Sequence, residues 1–256
     1  MPQIAPQTIN NELLNKLEVL YAMDGPLNEF EIRSIYRQAE HLAARDAAAA
    51  NVIKAGLEAL QWNKEAAYRL MDQAIRLEHS SNTLFNCSLN CKFVNDFDQS
   101  TNYIKKALKV SPNDLQTTQA LVDVLANCGR FKEACEAAAE GAKRGLSLDG
   151  LSVVTNIAND VNSLGISEAR LIFEINAADY VLTDNKVRRR EIIWKKHADP
   201  DGGQCLVLKI EFSGDFEDEI RLESQLAERL ISEPGWDPSL LSIEFRYVSK
   251  HALQAA

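Results

Sequence analysis

His197 and Cys205 flank a predicted tight turn, and their residue types are suited to nucleophilic chemistry. An imidazole beside a thiol can activate that thiol as a nucleophile. The turn chemistry of 199–203, Asp-Pro-Asp-Gly-Gly, predicts a β-hairpin. Because paired strands commonly place two residues opposite each other without a chemical role, we expect no enzyme. The chain also lacks the glycine-rich, His-Glu-x-x-His and Gly-x-Ser-x-Gly motifs, so we expect neither cofactor nor metal.

The five cysteines form an odd set, which favours reduced thiols over a disulfide framework. Cys87 and Cys91 are four residues apart, and Cys128 and Cys135 are seven apart, so each pair fits one helical face. Two such pairs could hold a metal ion. The alternative, which we favour, is that these cysteines pack as small buried residues.

A basic run with an embedded aromatic residue precedes the predicted turn. Its members are Lys186, Arg188, Arg189, Arg190, Trp194, Lys195 and Lys196. Such a run can bind phosphates and stack on a base. The chain as a whole has 28 basic and 37 acidic side chains, a net charge of -9, which disfavours nucleic acid as a partner. Two alternatives are a strand face paired with the acidic segment 215–219 and a patch for an acidic protein partner.

The composition is that of a globular protein, with 46% hydrophobic and 25% charged residues. The 256 residues allow one large domain or two modest ones. No apolar run approaches the ~20 residues of a membrane span. The first residues lack the basic and apolar regions of a secretory signal, so we expect a cytoplasmic protein with no membrane partner.

Most of the chain before 184 has apolar residues at helical spacing, beginning with helices over 10–23 and 27–45 that are separated by Asp-Gly-Pro at 24–26. The pattern then repeats. Phe131 follows Phe97 by 34 residues, and Gly129 follows Asn95 by 34. Two helices per unit and a period of about 34 residues predict a helical repeat protein.

The segment 129–134, Gly-Arg-Phe-Lys-Glu-Ala, resembles the turn and second helix of the tetratricopeptide repeat family. Ala107 and Pro112 match the later small residue and terminal proline of that family. The resemblance is good over 81–146, fair over 48–80, and weak over 10–46 and 150–180. It implies stacked helix pairs that curve into a superhelix, with the first helix of each pair lining a concave groove.

In that groove, the resemblance implies ten partner-binding residues: Asn82, Phe85, Asn86, Leu89, Lys92, Phe93, Gln116, Gln119, Asp123 and Asn127. Amide side chains can hydrogen-bond an extended peptide while aromatic rings take apolar side chains. The alternative for Phe85 and Phe93 is packing on a neighbouring helix.

After 184 the pattern changes to strands. Leu206, Leu208, Ile210 and Phe212 alternate with Val207, Lys209 and Glu211, and this period of two predicts a half-buried strand. A helix follows, capped by Ser213 or Asp215, with an expected buried stripe of Leu222, Leu226, Leu230 and Ile231. Ile243, Phe245 and Tyr247 then predict a last strand.

We therefore predict a mostly α protein: a tetratricopeptide-like helical repeat superhelix over 1–183, followed by a small C-terminal α+β (β-β-α-β) module over 184–256. The leading hypothesis is a non-enzymatic scaffold, adaptor or assembly chaperone that binds a segment of another protein in its groove. The last sheet offers a strand edge for self-association. Nucleic-acid binding through 186–197 is the second hypothesis.

Overall fold

A computed structural model describes residues 6–23, 27–198, 203–232 and 240–248. The expected turns at 24–26 and 199–202, and the expected end of the last helix near 235–238, lie outside these residues. The chain divides into two compact units, Met1–Pro112 and Asn113–Ala256. The expected boundary between 183 and 184 falls inside the second unit, at the change from helix to strand.

The first unit contains six described helices in three antiparallel hairpins: α1 (Pro6–Ala22), α2 (Glu29–Ala43), α3 (Ala47–Leu60), α4 (Lys64–Leu77), α5 (Ser81–Lys92) and α6 (Phe97–Val110). Helix α3 lies at its centre and packs on α1, α2, α4 and α5. Side chains of α1 complete the core of the first unit, and Leu13, Leu17 and Leu20 are almost fully buried there. Cys87 and Cys91 belong to the same core, so packing is the role of these two thiols here.

The second unit begins with four helices: α7 (Leu115–Asn127), α8 (Phe131–Lys143), α9 (Leu151–Ser163) and α10 (Glu168–Asp184). The β-hairpin follows as β1 (Arg189–Ala198) and β2 (Gln204–Phe212), and then come α11 (Phe216–Ile231) and β3 (Leu241–Tyr247). The small module packs on α10 through both α11 and β3. The mostly α fold with a small C-terminal α+β module is thus confirmed.

Four hairpins turn in the same way, which gives the repeat its structural basis. The residue at each turn has a left-handed backbone: Trp62 (φ 63°), Asn95 (φ 55°), Gly129 (φ 72°) and Gly165 (φ 69°). After each of them, a backbone N–H donates to the carbonyl five residues earlier: Asn63 to Glu58, Asp96 to Cys91, Arg130 to Leu125 and Ile166 to Val161. This is the Schellman end of a helix, which directs the chain back along the helix it has just left. Helical hairpin repeats are therefore present in both units.

The sheet has the order β1-β2-β3. Strands β1 and β2 are antiparallel and pair Trp194 with Leu208, whereas β2 and β3 are parallel and pair Ile210 with Phe245. A parallel pair needs a crossover, which α11 provides. The predicted alternation of β2 is confirmed, since Leu206, Leu208, Ile210 and Phe212 are all buried.

Helix α11 confirms one prediction and corrects another. Asp215 is its N-cap and accepts a hydrogen bond from the Asp218 N–H at 2.9 Å. Leu222, Leu226 and Leu230 are buried as predicted. The prediction was wrong for Ile231, which is 68% exposed. The residue that follows Leu230 is rotated by about 100° around the helix and so lies off the buried leucine stripe.

Among the described helices, none combines the length and the apolar character that crossing a membrane requires.

Candidate functional site

Helix α5 carries the clearest candidate site in the first unit. Its buried face holds Leu84, Cys87 and Cys91, and the Ser80 side chain caps its start by accepting from the Thr83 N–H at 3.1 Å. Five predicted groove residues lie on the remaining surface of α5: Asn82, Phe85, Asn86, Leu89 and Lys92. Asn82 is exposed and the other four are half-buried. We call these five residues the α5 row.

Two polar side chains of α5 form hydrogen bonds behind this row, and one of them ties α5 to α3. The Asn90 amide Nδ2 donates to the Val52 carbonyl of α3 at 2.9 Å, and Asn90 is buried. The Ser88 hydroxyl donates to the Phe85 carbonyl at 2.6 Å. Because buried polar groups are costly unless paired, the Asn90 bond to α3 fixes which face of α5 points outwards, whereas the Ser88 bond stays within α5.

Phe93, the sixth residue predicted on this helix, is not available to a partner. It is 5% exposed, and its ring stacks on Tyr21 of α1 with centroids 4.8 Å apart. Phe93 therefore packs on a neighbouring helix, which was the alternative to partner binding for this residue. For Phe85, which is half-buried, both alternatives stay open.

The concave groove does not continue from the α5 row onto α3. The α3 residues that lie 33 positions before Asn82, Phe85, Asn86 and Leu89 are all buried: Ala49, Val52, Ile53 and Gly56. A methyl group added at Gly56 would lie 2.5 Å from Leu17 Cδ1 and 2.8 Å from Asn90 Oδ1. Helices α1 and α5 thus converge over the small residues of α3 and close the surface that the resemblance implied there.

In the second unit, α7 carries the other four predicted groove residues. Gln116 and Asp123 are exposed, and Gln119 and Asn127 are half-buried. The Gln119 amide is already engaged, since it accepts from the Asp149 N–H at 2.8 Å and donates to the Asp123 carboxylate at 2.8 Å. Gln119 therefore holds the 146–150 loop against α7, a contact that the repeat pattern did not predict.

The basic run is dispersed. Arg189 is buried, and its Nη1 contacts both carboxylate oxygens of Asp179 at 2.9 Å. The Arg190 Nε donates to the Ser213 hydroxyl at 2.6 Å, and Lys196 pairs with Asp160 at 3.2 Å.

Trp194 packs edge-on against Phe131, with centroids 4.9 Å apart. Arg188 is half-buried, whereas Lys186 and Lys195 are exposed. Of the residues in the basic run, Arg189 thus forms an ion pair with α10 and Lys196 forms one with α9.

The predicted opposition of His197 and Cys205 is confirmed, since the two residues pair across β1 and β2. The five cysteines are free; Cys87, Cys91 and Cys128 are buried, and Cys135 and Cys205 are half-buried. In the described ranges, no three His, Cys, Asp or Glu side chains come together as a metal site.

An ion-pair cluster that sequence reasoning missed links α4 to α6. Asp96 accepts from the Tyr68 hydroxyl at 2.6 Å and from Lys64 Nζ at 2.8 Å, and it also caps α6 through the Gln99 N–H at 3.0 Å. Burial opposes ionisation, but these donors hold the pKa of Asp96 below its ordinary value. Burial likewise raises the pKa of Tyr68. The cluster joins two hairpins, so its role is structural.

A second feature missed from the sequence is an acidic cleft of about 640 Å³ where α11 meets β3. Its carboxylates come from β2, α11 and β3: Glu211, Glu219, Glu223 and Glu244. Partial burial, together with the charges of Glu219 and Glu244, raises the pKa of Glu223. The sequence held one signal for this cleft: Phe216 and Ile220 are apolar residues of α11 that lie off its leucine stripe, and both are exposed.

Comparison of the chain with family models, with curated proteins and with solved structures gives no match.

Proposed function

We propose that this protein is a non-enzymatic interaction scaffold built from tetratricopeptide-like hairpins, and that the α5 row binds a segment of a partner protein. Repeated hairpins bury their apolar faces against each other and leave extended helix surfaces for binding. The α5 row is such a surface on a helix whose orientation is fixed from behind by the bond from Asn90 to α3.

The composition of the row is the observation that carries this proposal. The side-chain amides of Asn82 and Asn86 have no hydrogen-bond partner among the described residues, and they lie beside the half-buried side chains of Phe85 and Leu89. The amides can hydrogen-bond the backbone of a bound peptide, and the apolar surface beside them can contact an apolar side chain of that peptide. Lys92 ends the row with a cation and favours an acidic group at one end of the bound segment.

An adaptor or an assembly chaperone in the cytoplasm is the biological setting that fits such a surface. Because α1 and α5 cover α3 at Gly56, the proposed binding surface in the first unit does not extend from α5 onto α3. A partner segment would therefore lie along one helix, and the distance from Asn82 to Leu89 is about 10.5 Å at a rise of 1.5 Å per residue.

Photo-crosslinking from α5 tests this proposal. A benzoylphenylalanine in place of Asn82 should capture a partner protein from a lysate of the native host, and nuclease treatment should leave the adduct intact. The matched control carries the same group in place of Asn102, an exposed asparagine of α6. Equal capture from both positions, or an adduct that nuclease removes, would contradict a protein-binding site on α5.

A further inference from the structure

Strand β3 forms one end of the sheet, and among the described residues no further strand pairs with its outer edge. The Leu240 carbonyl accepts from the Leu206 N–H at 2.9 Å, and the Val248 N–H donates to the Phe212 carbonyl at 3.0 Å. In a parallel pair, alternate residues bond to the neighbouring strand. The even-numbered residues of β3 therefore bond to β2, and the N–H groups of Phe245 and Tyr247 point away from the sheet.

Carboxylates from α11 occupy those two donors. Glu219 Oε2 accepts from the Tyr247 N–H at 3.0 Å, and the Glu223 carboxylate accepts from the Phe245 N–H. An edge strand flanked by acidic side chains resists pairing with an identical edge, because two such edges would bring like charges together. The arrangement disfavours β3-to-β3 association of two copies.

The flank of α11 above this edge is apolar and exposed. Phe216, Ile220 and Ile231 are 58%, 52% and 68% exposed, and they share one side of the helix with Ala227. The opposite side of α11 faces α10, where Arg229 lies over the Tyr180 ring at 3.9 Å. In a sheet covered by a helix, a strand added beyond β3 would lie beneath this apolar flank.

The charge around the edge is negative. Lys209 and Arg246 are both engaged, with Glu244 at 3.0 Å and Glu211 at 3.9 Å. In the described part of the chain, Glu219 and Glu223 have no cationic partner. A segment that docks here is therefore favoured when it brings lysine or arginine side chains.

We propose that an extended, basic segment of a partner protein adds to the outer edge of β3 as a fourth strand. Its backbone carbonyls accept hydrogen bonds from the N–H groups of Phe245 and Tyr247 in place of the two carboxylates. Its apolar side chains cover Phe216 and Ile220. Its cations pair with the carboxylates of the cleft, including Glu223, which the incoming strand frees. This surface is separate from the α5 row, so either proposal can fail without the other.

Fluorescence anisotropy of a labelled peptide tests this proposal on the full chain. The probe is the heptapeptide Thr-Lys-Val-Lys-Val-Lys-Thr, whose alternation places lysines on one face and valines on the other. We expect saturable binding that weakens at least tenfold when alternate peptide amides are N-methylated, because edge pairing needs those amides. We also expect about tenfold weaker binding with Glu223→Gln/Glu244→Gln.

The matched control is Glu217→Gln/Glu228→Gln, which removes the same charge from exposed positions of α11 outside the cleft. It should change the dissociation constant less than twofold. Absence of saturable binding would overturn the proposal, and so would equal binding of the N-methylated peptide, which indicates charge attraction without strand pairing. A concentration-dependent dimer in sedimentation velocity that blocks the peptide would assign the edge to a second copy instead.

Discussion

Replacing Gly56 with alanine tests how closely α1 and α5 converge over α3. Gly→Ala in a helix interior normally stabilises a protein by about 0.5–1 kcal/mol. At Gly56 the new methyl would lie 2.5 Å from Leu17 Cδ1 and 2.8 Å from Asn90 Oδ1, both below van der Waals contact. Leu17 can shift its terminal methyl, but Asn90 is fixed by its hydrogen bond to the Val52 carbonyl.

The expected magnitude follows from two opposing effects. Overpacking a core typically costs about 1–3 kcal/mol. Disturbing the buried Asn90 hydrogen bond adds about 1–3 kcal/mol. After the helix-propensity gain is subtracted, we expect Gly56→Ala to lower the free energy of unfolding by about 1–5.5 kcal/mol.

Gly141 provides the matched control, because it also lies inside a helix and its added methyl would meet its nearest neighbour, Thr118 Cγ2, at 3.1 Å. Gly141→Ala should be neutral within about 1 kcal/mol. Urea denaturation followed by circular dichroism measures both variants, and hydrogen exchange of α3 amides assigns the loss to the first unit, since two units need not unfold together. A Gly56→Ala variant as stable as the wild type would refute the convergence of α1 and α5.

Three further predictions concern buried charges and thiols. Asp96→Asn should destabilise the chain by about 1–2 kcal/mol at neutral pH. The folded pKa of Asp96 lies below 3.8, so the contribution of this carboxylate to the free energy of unfolding is present above pH 3.8. That contribution is lost as the pH falls through the folded pKa, and the urea midpoints of the wild type and Asp96→Asn should therefore converge in acid. Arg189→Ala removes the guanidinium that pairs with the buried Asp179 and should cost about 3–5 kcal/mol in urea denaturation, more than the double variant Arg189→Leu/Asp179→Leu, and the reverse order would contradict the pairing. Burial raises the pKa of Cys87 to about 12, and Asp72 adds to the shift, so iodoacetamide and mass spectrometry should show the native Cys87 unmodified after the half-buried Cys205 has reacted.

Much of the fold was predictable because local signals agreed with tertiary packing. The 34-residue spacing of Asn95 and Gly129 marked two turns whose left-handed backbone suits these residue types. The same turn at Trp62 escaped prediction, because no local preference favours tryptophan in that conformation. The strand order also escaped, since sequence alternation fixes which side chains are buried but leaves the neighbours of a strand open.

The candidate site was less predictable because it depends on contacts between distant segments. Nothing in the repeat pattern indicated that Tyr21 would stack on Phe93, or that Gln119 would hold the backbone of Asp149. The pairing of Arg189 with Asp179 likewise required the path of β1 past α10. A repeat pattern therefore predicts which helix faces could contact a partner. Packing between distant segments, such as that of α1 on α3, decides which of those faces stay accessible.

The central claim is that the α5 row binds a partner protein. Quantitative pull-down from a host lysate with Phe85→Ala/Asn86→Ala as bait tests it most directly, after circular dichroism has verified that the variant is folded. The matched control, Phe173→Ala/Asn176→Ala, removes the same residue types from the exposed surface of α10. The account predicts a protein whose recovery falls about tenfold or more with the α5 variant and stays unchanged with the control. Equal recovery of every partner by all three baits would contradict it.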